Sequence, residues 1–511
     1  MAIKAKGVRT RHAQYDIYAA KWKRCRDVMA GQDAVHAAGI YYLPKLKEQT
    51  QEDYEAYKKR ATFYNASWRT VAGLCGMMFR KPPTKDIPPG IEPLLEDVTL
   101  SGVPFDRFSQ DASYEVLQIG RVGLLVDHPP MPLDGAAITV AVKESFGLRP
   151  TIKSYPAESI INWKYKTINN RHTLAMVVLE EEHEEKGESE FEIKCEKRYR
   201  VLDLQDDRFY RVRVFRINDN QQDEQVGQDI IPFMNGEVMS FIPFVFIGPD
   251  GTEATLEEPP LIDLVDVNLS HYRSTADYEH GCHFTGLPTP YITGYSVQVD
   301  AEGKPVNLYI GAQSAWLIQN SEAKVGFLEF TGTGLTTLRE NLDAKKQEMA
   351  TLGARALADG SAKQVETFGA TAIKHVAENS ILASIAISTS KGLTIALQWF
   401  SDWTGIKAEI EYDINRDFLP VQMDAPTLTA WVSAWQQGAL SEAELFDNFQ
   451  KADVIRADKT LEEHQEEIDT APPPAPPSSA RPGALGTLDD DEEIERKRKE
   501  AEAIPPKKQA T

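Results

Sequence analysis

Between residues 335 and 400 the sequence carries two long helical patterns in succession, separated by a short polar loop, and they are its most regular part. In the first, roughly 335–358, Leu335, Leu338, Leu342, Met349, Leu352 and Ala356 recur on one stripe, with Lys345 as its only polar intruder. The second, roughly 370–400, is dense in Ala, Ser, Thr and Ile. At 1.5 Å per residue the two span about 35 and about 45 Å, more than a subdomain of this size needs for its own core.

The remaining chain alternates helical and β patterns, an α+β arrangement. Tyr54, Tyr57, Ala61, Tyr64, Trp68 and Val71 recur at helical spacing, so one helix is expected over 50–75, opened by Thr50 with Asp53 and stopped before Pro82 and Pro83. A second helix is expected over 105–119, closed by Gly120, followed by a short buried strand at 123–127. From 137 to 247 the pattern is β, including TVAVKES at 139–145, and reads as one subdomain of hairpins. Proline-led helical sequence covers 261–284, short strands run to about 330, and after the long pair come helices stopped at Gly438 and opened at Ser441 with Glu444 in capping-box spacing. The expected divisions are 1–49, 50–136, 137–247, 248–334, 335–402, 403–470 and a Pro-rich, charged tail, 471–511, whose composition predicts disorder.

The chain has 511 residues, 42% of them hydrophobic, enough to bury a substantial core. Cys25, Cys75, Cys195 and Cys282 are too far apart for a C-x-x-C pair and read as free thiols. The N-terminus has no apolar run, and no stretch approaches about 18 consecutive apolar residues, so neither a signal peptide nor a membrane span is expected. Net charge is −21. A surface this acidic does not seek phosphates, and any contact with DNA should be passing rather than clamping.

Motifs for chemistry are sparse, and no cofactor is implied. GTGLTT at 332–337 lacks the lysine and spacing of a phosphate loop and reads as a turn before a helix. Asp277, His280 and His283, with Glu279 and Cys282 nearby, fan across a wide arc of one helix; a polar helix face fits them better than a metal site. The run Glu180–Glu185, interrupted by His183, reads as a solvated hairpin loop, because successive carboxylates on a strand point to opposite faces. No G-x-S-x-G elbow is present, and no catalytic residue is nominated. One stretch runs against the acidic background: Arg208, Arg211, Arg213 and Arg216, with Phe209 and Phe215, form a basic strand suited to phosphate or to an acidic partner. A solvated face paired with acidic neighbours such as Glu192 and Glu196 is the favoured reading.

GLCGMMFRKPP (73–83), GRVGLLVDHPP (120–130), EPPLIDLVDVNLSHYR (258–273) and ATLGARALADGSAKQVETFGATAIKHVAENS (350–380) resemble, in that order, the portal proteins of tailed bacteriophages. The resemblance extends over roughly 50–455. It implies the portal fold, with a mixed α/β wing, a β-rich clip-like subdomain (137–247 as a possible clip or wing), long stem and tunnel helices and a helical crown at 403–470. It further implies a closed ring, usually a dodecamer, at the capsid vertex of the virion, assembled in the host cytoplasm. Implied partners are other copies of the chain, the major capsid and scaffolding proteins, the large terminase subunit, the head–tail adaptor and double-stranded DNA in passage, with no membrane. The family has no catalytic residues to carry over.

Within the resemblance, 359–368 corresponds to the tunnel loop: Lys363, Gln364, Glu366 and Thr367 are its candidate DNA-facing residues and Gly360 and Gly369 its hinges. The basic strand is a candidate contact for motor or adaptor. Long helices rich in small residues suit a ring of repeated subunits, whose heterologous interface must close on itself. Two other classes stand beside this reading. A head-completion adaptor or tail-tube protein would also be acidic and oligomeric, though typically shorter and without the long helix pair; a metal-dependent enzyme would work through His280 and His283.

Overall fold

A glycine and two side-chain caps bound the helices near the N-terminus. In the computed structural model, α1 (Tyr15–Ala30) and α2 (Gln32–Ala38) are parted by Gly31, and α3 (Gln51–Arg60) opens where Thr50 Oγ1 accepts the Asp53 amide at 3.1 Å. The structure describes residues 7–129, 147–187, 189–206, 208–286, 289–294, 323–328, 332–355, 380–418, 425–452, 454–456 and 459–470. The helix expected over 50–75 is two helices. α3 stops at Ala61, and α4 (Ala66–Met78) starts afresh where Asn65 Oδ1 accepts the Trp68 amide at 3.0 Å.

Next come β1 (Thr84–Asp86), α5 (Phe105–Ile119), β2 (Val122–Asp127) and β3 (Thr151–Pro156). Gly120 ends α5 in the left-handed region, as its position predicts, and a side chain there would crowd the backbone of Glu258 and Pro259. β4 (Ile160–Ile168), β5 (Arg171–Lys186), β6 (Ile193–Gln205), β7 (Phe209–Ile217) and β8 (Asp223–Gln225) form an antiparallel meander in sequence order. β9 (Phe233–Met234) and β10 (Glu237–Val238) pair with each other. β11 (Phe244–Ile247) does not join the meander; it pairs with β2, whose other edge takes β3. The strands of the β region are therefore divided among three sheets, β4–β8, β9–β10 and β11–β2–β3, and 139–145 lies outside the described residues. The acidic run is not a loop either. It lies in β5, where Glu180 pairs with Lys197 and Glu185 with Arg198, each at 2.5 Å, and Glu181 with Arg200 at 2.9 Å.

α6 (Ile262–Gly286), the hairpin β12 (Thr289–Thr293) and β13 (Lys324–Leu328), and α7 (Thr333–Arg355) follow. α8 (Ile381–Thr404) opens after Ser380, which is extended and whose Oγ accepts the Ala383 amide at 3.1 Å; of the helix expected from 370, residues 370–379 lie outside the described residues. By length and composition α8 could cross a membrane. Ile381 and Ile387 are exposed, but Leu382, Ile385, Leu393, Leu397 and Phe400 belong to the core, and the helix packs on α5, β2, β11 and the short strand β14 (Glu411–Asp413).

Residues Met1–Thr427 form one compact unit and Leu428–Thr511 a second. α9 (Ala425–Gln436) spans the boundary; α10 (Glu442–Lys451) and α11 (Leu461–Thr470) lie in the second unit. The expected capping box is present, with the Glu444 amide donating to Ser441 Oγ at 3.2 Å and the Ser441 amide to Glu444 Oε2 at 2.9 Å. All four cysteines are free.

Candidate functional site

The apolar stripe read from residue 335 onward is the face by which α7 docks on α6. Leu342 and Met349 are buried, while the flanks of α7 are exposed. At one end, Gly281 of α6 lets Leu335 approach so closely that a Cβ on the glycine would lie 2.6 Å from Leu335 Cδ2. At the centre, Lys345 donates from Nζ to Ser274 Oγ at 2.6 Å and to the Ser270 carbonyl at 3.2 Å. Burial, with Arg273 nearby, pulls the Lys345 pKa below its usual value. Beside it, His271 is 4% exposed; burial and then the charges of Lys346 and Lys345 push its pKa down to about 4.

Asp277, His280 and His283 on α6 meet separate partners on α3. Tyr57 Oη donates to Asp277 Oδ1 at 2.6 Å, and Arg60 Nη2 lies 3.1 Å from His283 Nε2. The His280 ring stands edge-on to Tyr57 and Phe284. Among the described residues no three histidine, cysteine or carboxylate side chains converge as a metal site would require.

The arginines of β7 are held within their own sheet. Register places Asp203 opposite Arg211, which binds it in a fork at 3.2 and 2.7 Å and also reaches Asp229 at 2.9 Å. Arg213 Nη2 donates to the same Asp203 at 3.0 Å, and Arg216 pairs with Glu224 at 3.1 Å. Hydrogen bonding to Asp203 raises the Arg211 pKa. These ion-pair partners are not the Glu192 and Glu196 expected from sequence, since cross-strand register sets Asp203 opposite Arg211 and Glu224 opposite Arg216; Glu196 pairs with Arg198. Arg208 precedes the strand, its amide donating to the Gln205 carbonyl at 2.9 Å. Gly360, Lys363, Gln364, Glu366, Thr367 and Gly369 lie outside the described residues.

One arrangement has no counterpart in the reading of the sequence. Arg121, 4% exposed, lies between two rings, with its Cζ 4.2 Å from the centroid of Trp163 and 4.5 Å from that of Phe246. Its Nη1 donates to the Ala254 carbonyl at 2.9 Å. Burial pushes its pKa down to about 9. His12 stacks on the same Trp163 at 4.0 Å. The local signal is a lone arginine at the head of a strand that is apolar up to Asp127, which reads as an ordinary strand end.

The chain matches the model of a domain of unknown function, DUF4055, over residues 260–404, a stretch that takes in α6, β12, β13, α7 and α8. No curated protein matches the sequence. Among solved structures it is similar to a chain in the neck of an empty gene transfer agent (GTA) particle computed with C6 symmetry, at a TM-score of 0.36 and 12% identity, covering 74% of this chain and 86% of that one. It is also similar to a chain in the virion of the native particle (TM-score 0.35, 12% identity, 81% and 95% covered) and to one in the native neck computed with C12 symmetry (0.37, 12%, 81% and 97%).

Proposed function

We propose that this chain is a portal protein: a non-enzymatic structural subunit of a closed ring, twelve copies by the family resemblance, set at the capsid vertex of a phage-like virion. The observation that carries the proposal is the antiparallel pair α6 and α7. The two helices run 25 and 23 residues, bracket the hairpin β12–β13, and meet along a single stripe that leaves the flanks of α7 exposed. Helices of that length, roughly 37 and 35 Å, exceed what packing within one subunit needs and suit the wall of a channel. In this reading α6 and α7 form the stem, and the hairpin between them takes the place of the clip. The β4–β8 meander within 137–247 then belongs to the wing.

Acidity supports the same reading. With 77 acidic against 56 basic residues, the chain offers DNA a surface along which it slides without being gripped. Lys363, flanked by Gln364, Glu366 and Thr367 between the hinge glycines Gly360 and Gly369, supplies a sparse contact from the tunnel loop. The arginine strand meets the terminase or the adaptor only with what its ion pairs leave exposed. Negative-stain electron microscopy of the purified full-length protein, alone and with its scaffolding protein, tests the proposal. A turbine-shaped ring with a stem is expected; a stacked tube, or a monomer under both conditions, would overturn it.

A further inference from the structure

The segment Gly7–Ala13 crosses one face of the β4–β8 sheet and roofs a groove of about 780 Å³ floored by Trp163, Tyr165, Val178, Val201 and Phe215. Few bonds hold it. The Val8 amide donates to Asp223 Oδ2 at 2.7 Å, the Arg9 guanidinium to the Gln221 carbonyl at 2.9 Å, and the His12 amide to the Ile161 carbonyl at 2.9 Å. Asn162 Nδ2 donates to the Thr10 carbonyl at 2.8 Å. Gly7 lies so close to β8 that a Cβ there would overlap the Asp223 carboxylate.

The centre of this attachment is aromatic. The His12 ring lies nearly flat on Trp163, with centroids 4.0 Å apart and planes 18° from parallel. Arg121 Cζ is 4.2 Å from the Trp163 centroid as well. Two groups so close to one ring occupy its opposite faces, which places the indole between imidazole and guanidinium. The surroundings are rich in cations: Arg11 on the segment itself, Arg121 at the head of β2, Lys164 and Lys166 on β4, and Arg213 on β7, against Asp223 on β8. Asp16 pairs with Arg11 and Asp203 with Arg213, Glu180 lies near Arg11, and Glu257 acts on Arg121. Tyr165 is a neutral phenol whose pKa burial raises.

We propose that Gly7–Ala13 is an acid-released strap: protonation of His12 sets a second cation against Trp163 opposite Arg121, the stack opens, and the strap leaves the sheet and bares the aromatic floor of the groove. Burial first, and then the charge of Arg121, hold the His12 pKa below its ordinary 6.5, so the docked strap carries a neutral imidazole. The docked state binds fewer protons than the released one. Docking is therefore complete above the free pKa of about 6.5 and weakens as pH falls below it.

Hydrogen exchange of the peptide spanning the strap, measured by mass spectrometry on the full chain and corrected for the intrinsic pH dependence of exchange, tests this, with the α5 amides as a control for the core. Strap protection should fall severalfold between about pH 7.5 and pH 5 while α5 stays protected. His12→Phe keeps a ring on Trp163 and removes the proton site, so its strap should stay protected across the range. His12→Lys places a permanent cation there and should release the strap even at about pH 8. A parent strap still protected at acid pH with α5 intact, a His12→Phe strap that loosens as the parent's does, or a docked His12→Lys strap would each overturn the proposal.

Discussion

Lys345 Nζ donates to Ser274 Oγ at 2.6 Å across the α6–α7 interface, from the middle of a stripe that is otherwise apolar. A second bond, to the Ser270 carbonyl, ties the same ammonium to the turn before. The two bonds favour the observed register of the helices, because they set one ammonium against two acceptors on successive turns of α6.

Replacing Lys345 with Met should therefore change global stability by less than about 1 kcal/mol, since an apolar stem of similar length fills the stripe and Ser274 can bond within its own helix. Lys345→Glu should cost about 2 kcal/mol or more, because a carboxylate there faces the Ser270 carbonyl, acceptor against acceptor. Urea midpoints of the three proteins check this. A destabilised Met variant would mean that the hydrogen bonds themselves hold the pair.

His271 predicts an acid limb in the stability curve. Its folded pKa is lowered to about 4 from 6.5, so folding favours the neutral ring. The stability this contributes is fully present above about 6.5 and is lost as pH falls toward 4, on the order of 3 kcal/mol at the acid end. His271→Gln should flatten that window relative to the parent when melting temperatures are compared at matched pH. Parallel curves for the two proteins would assign the acid limb to other groups.

Asn268 should be among the most sensitive positions of the first unit. Its Oδ1 accepts the amides of Ala66 and Ser67, both at 3.1 Å, and the Ser67 hydroxyl at 2.9 Å, while its Nδ2 donates to the Tyr64 carbonyl at 2.8 Å. The Ala66 amide also donates to the Tyr64 carbonyl at 2.9 Å, so Asn268→Ala strips its acceptor chiefly from the buried Ser67 amide and hydroxyl at the start of α4 and should cost about 2 kcal/mol or more. Chemical denaturation measures the loss, and a cost below about 1 kcal/mol would show that α4 caps itself without this side chain.

Reversing charge at Arg211 and Arg213 together should destabilise the meander by about 2–4 kcal/mol, since Asp203 would face two carboxylates in a half-buried site. Any loss of partner binding in that double variant has to be compared with its melting temperature. Arg216→Glu, at a more exposed pair, should leave the melting temperature close to the parent's and so reports on partner binding alone.

Signals written within a few residues were legible in the sequence. The Thr50–Asp53 and Ser441–Glu444 caps, the stop at Gly120 and the stripe on α7 each rest on contacts three or four residues apart, which any local window contains. What the sequence did not disclose came from partners far along the chain. The stripe from Tyr54 to Val71 has the period of one helix, yet Asn268, some two hundred residues onward, takes the amides of Ala66 and Ser67 and the carbonyl of Tyr64, and the chain breaks there. β11 carries the same β pattern as its predecessors, but it pairs with β2 and leaves the meander. Asp203 became the counter-charge of two arginines because register set it opposite them, and Arg121 came to share an indole with His12 because the N-terminal segment folds across the sheet. By itself the sequence determined the elements and the faces they bury, since propensity, capping and periodicity act within a turn or a strand; only the tertiary structure decided which elements meet, because pairing is settled by whichever distant surfaces bury the most apolar area and satisfy the most polar groups once the loops have closed.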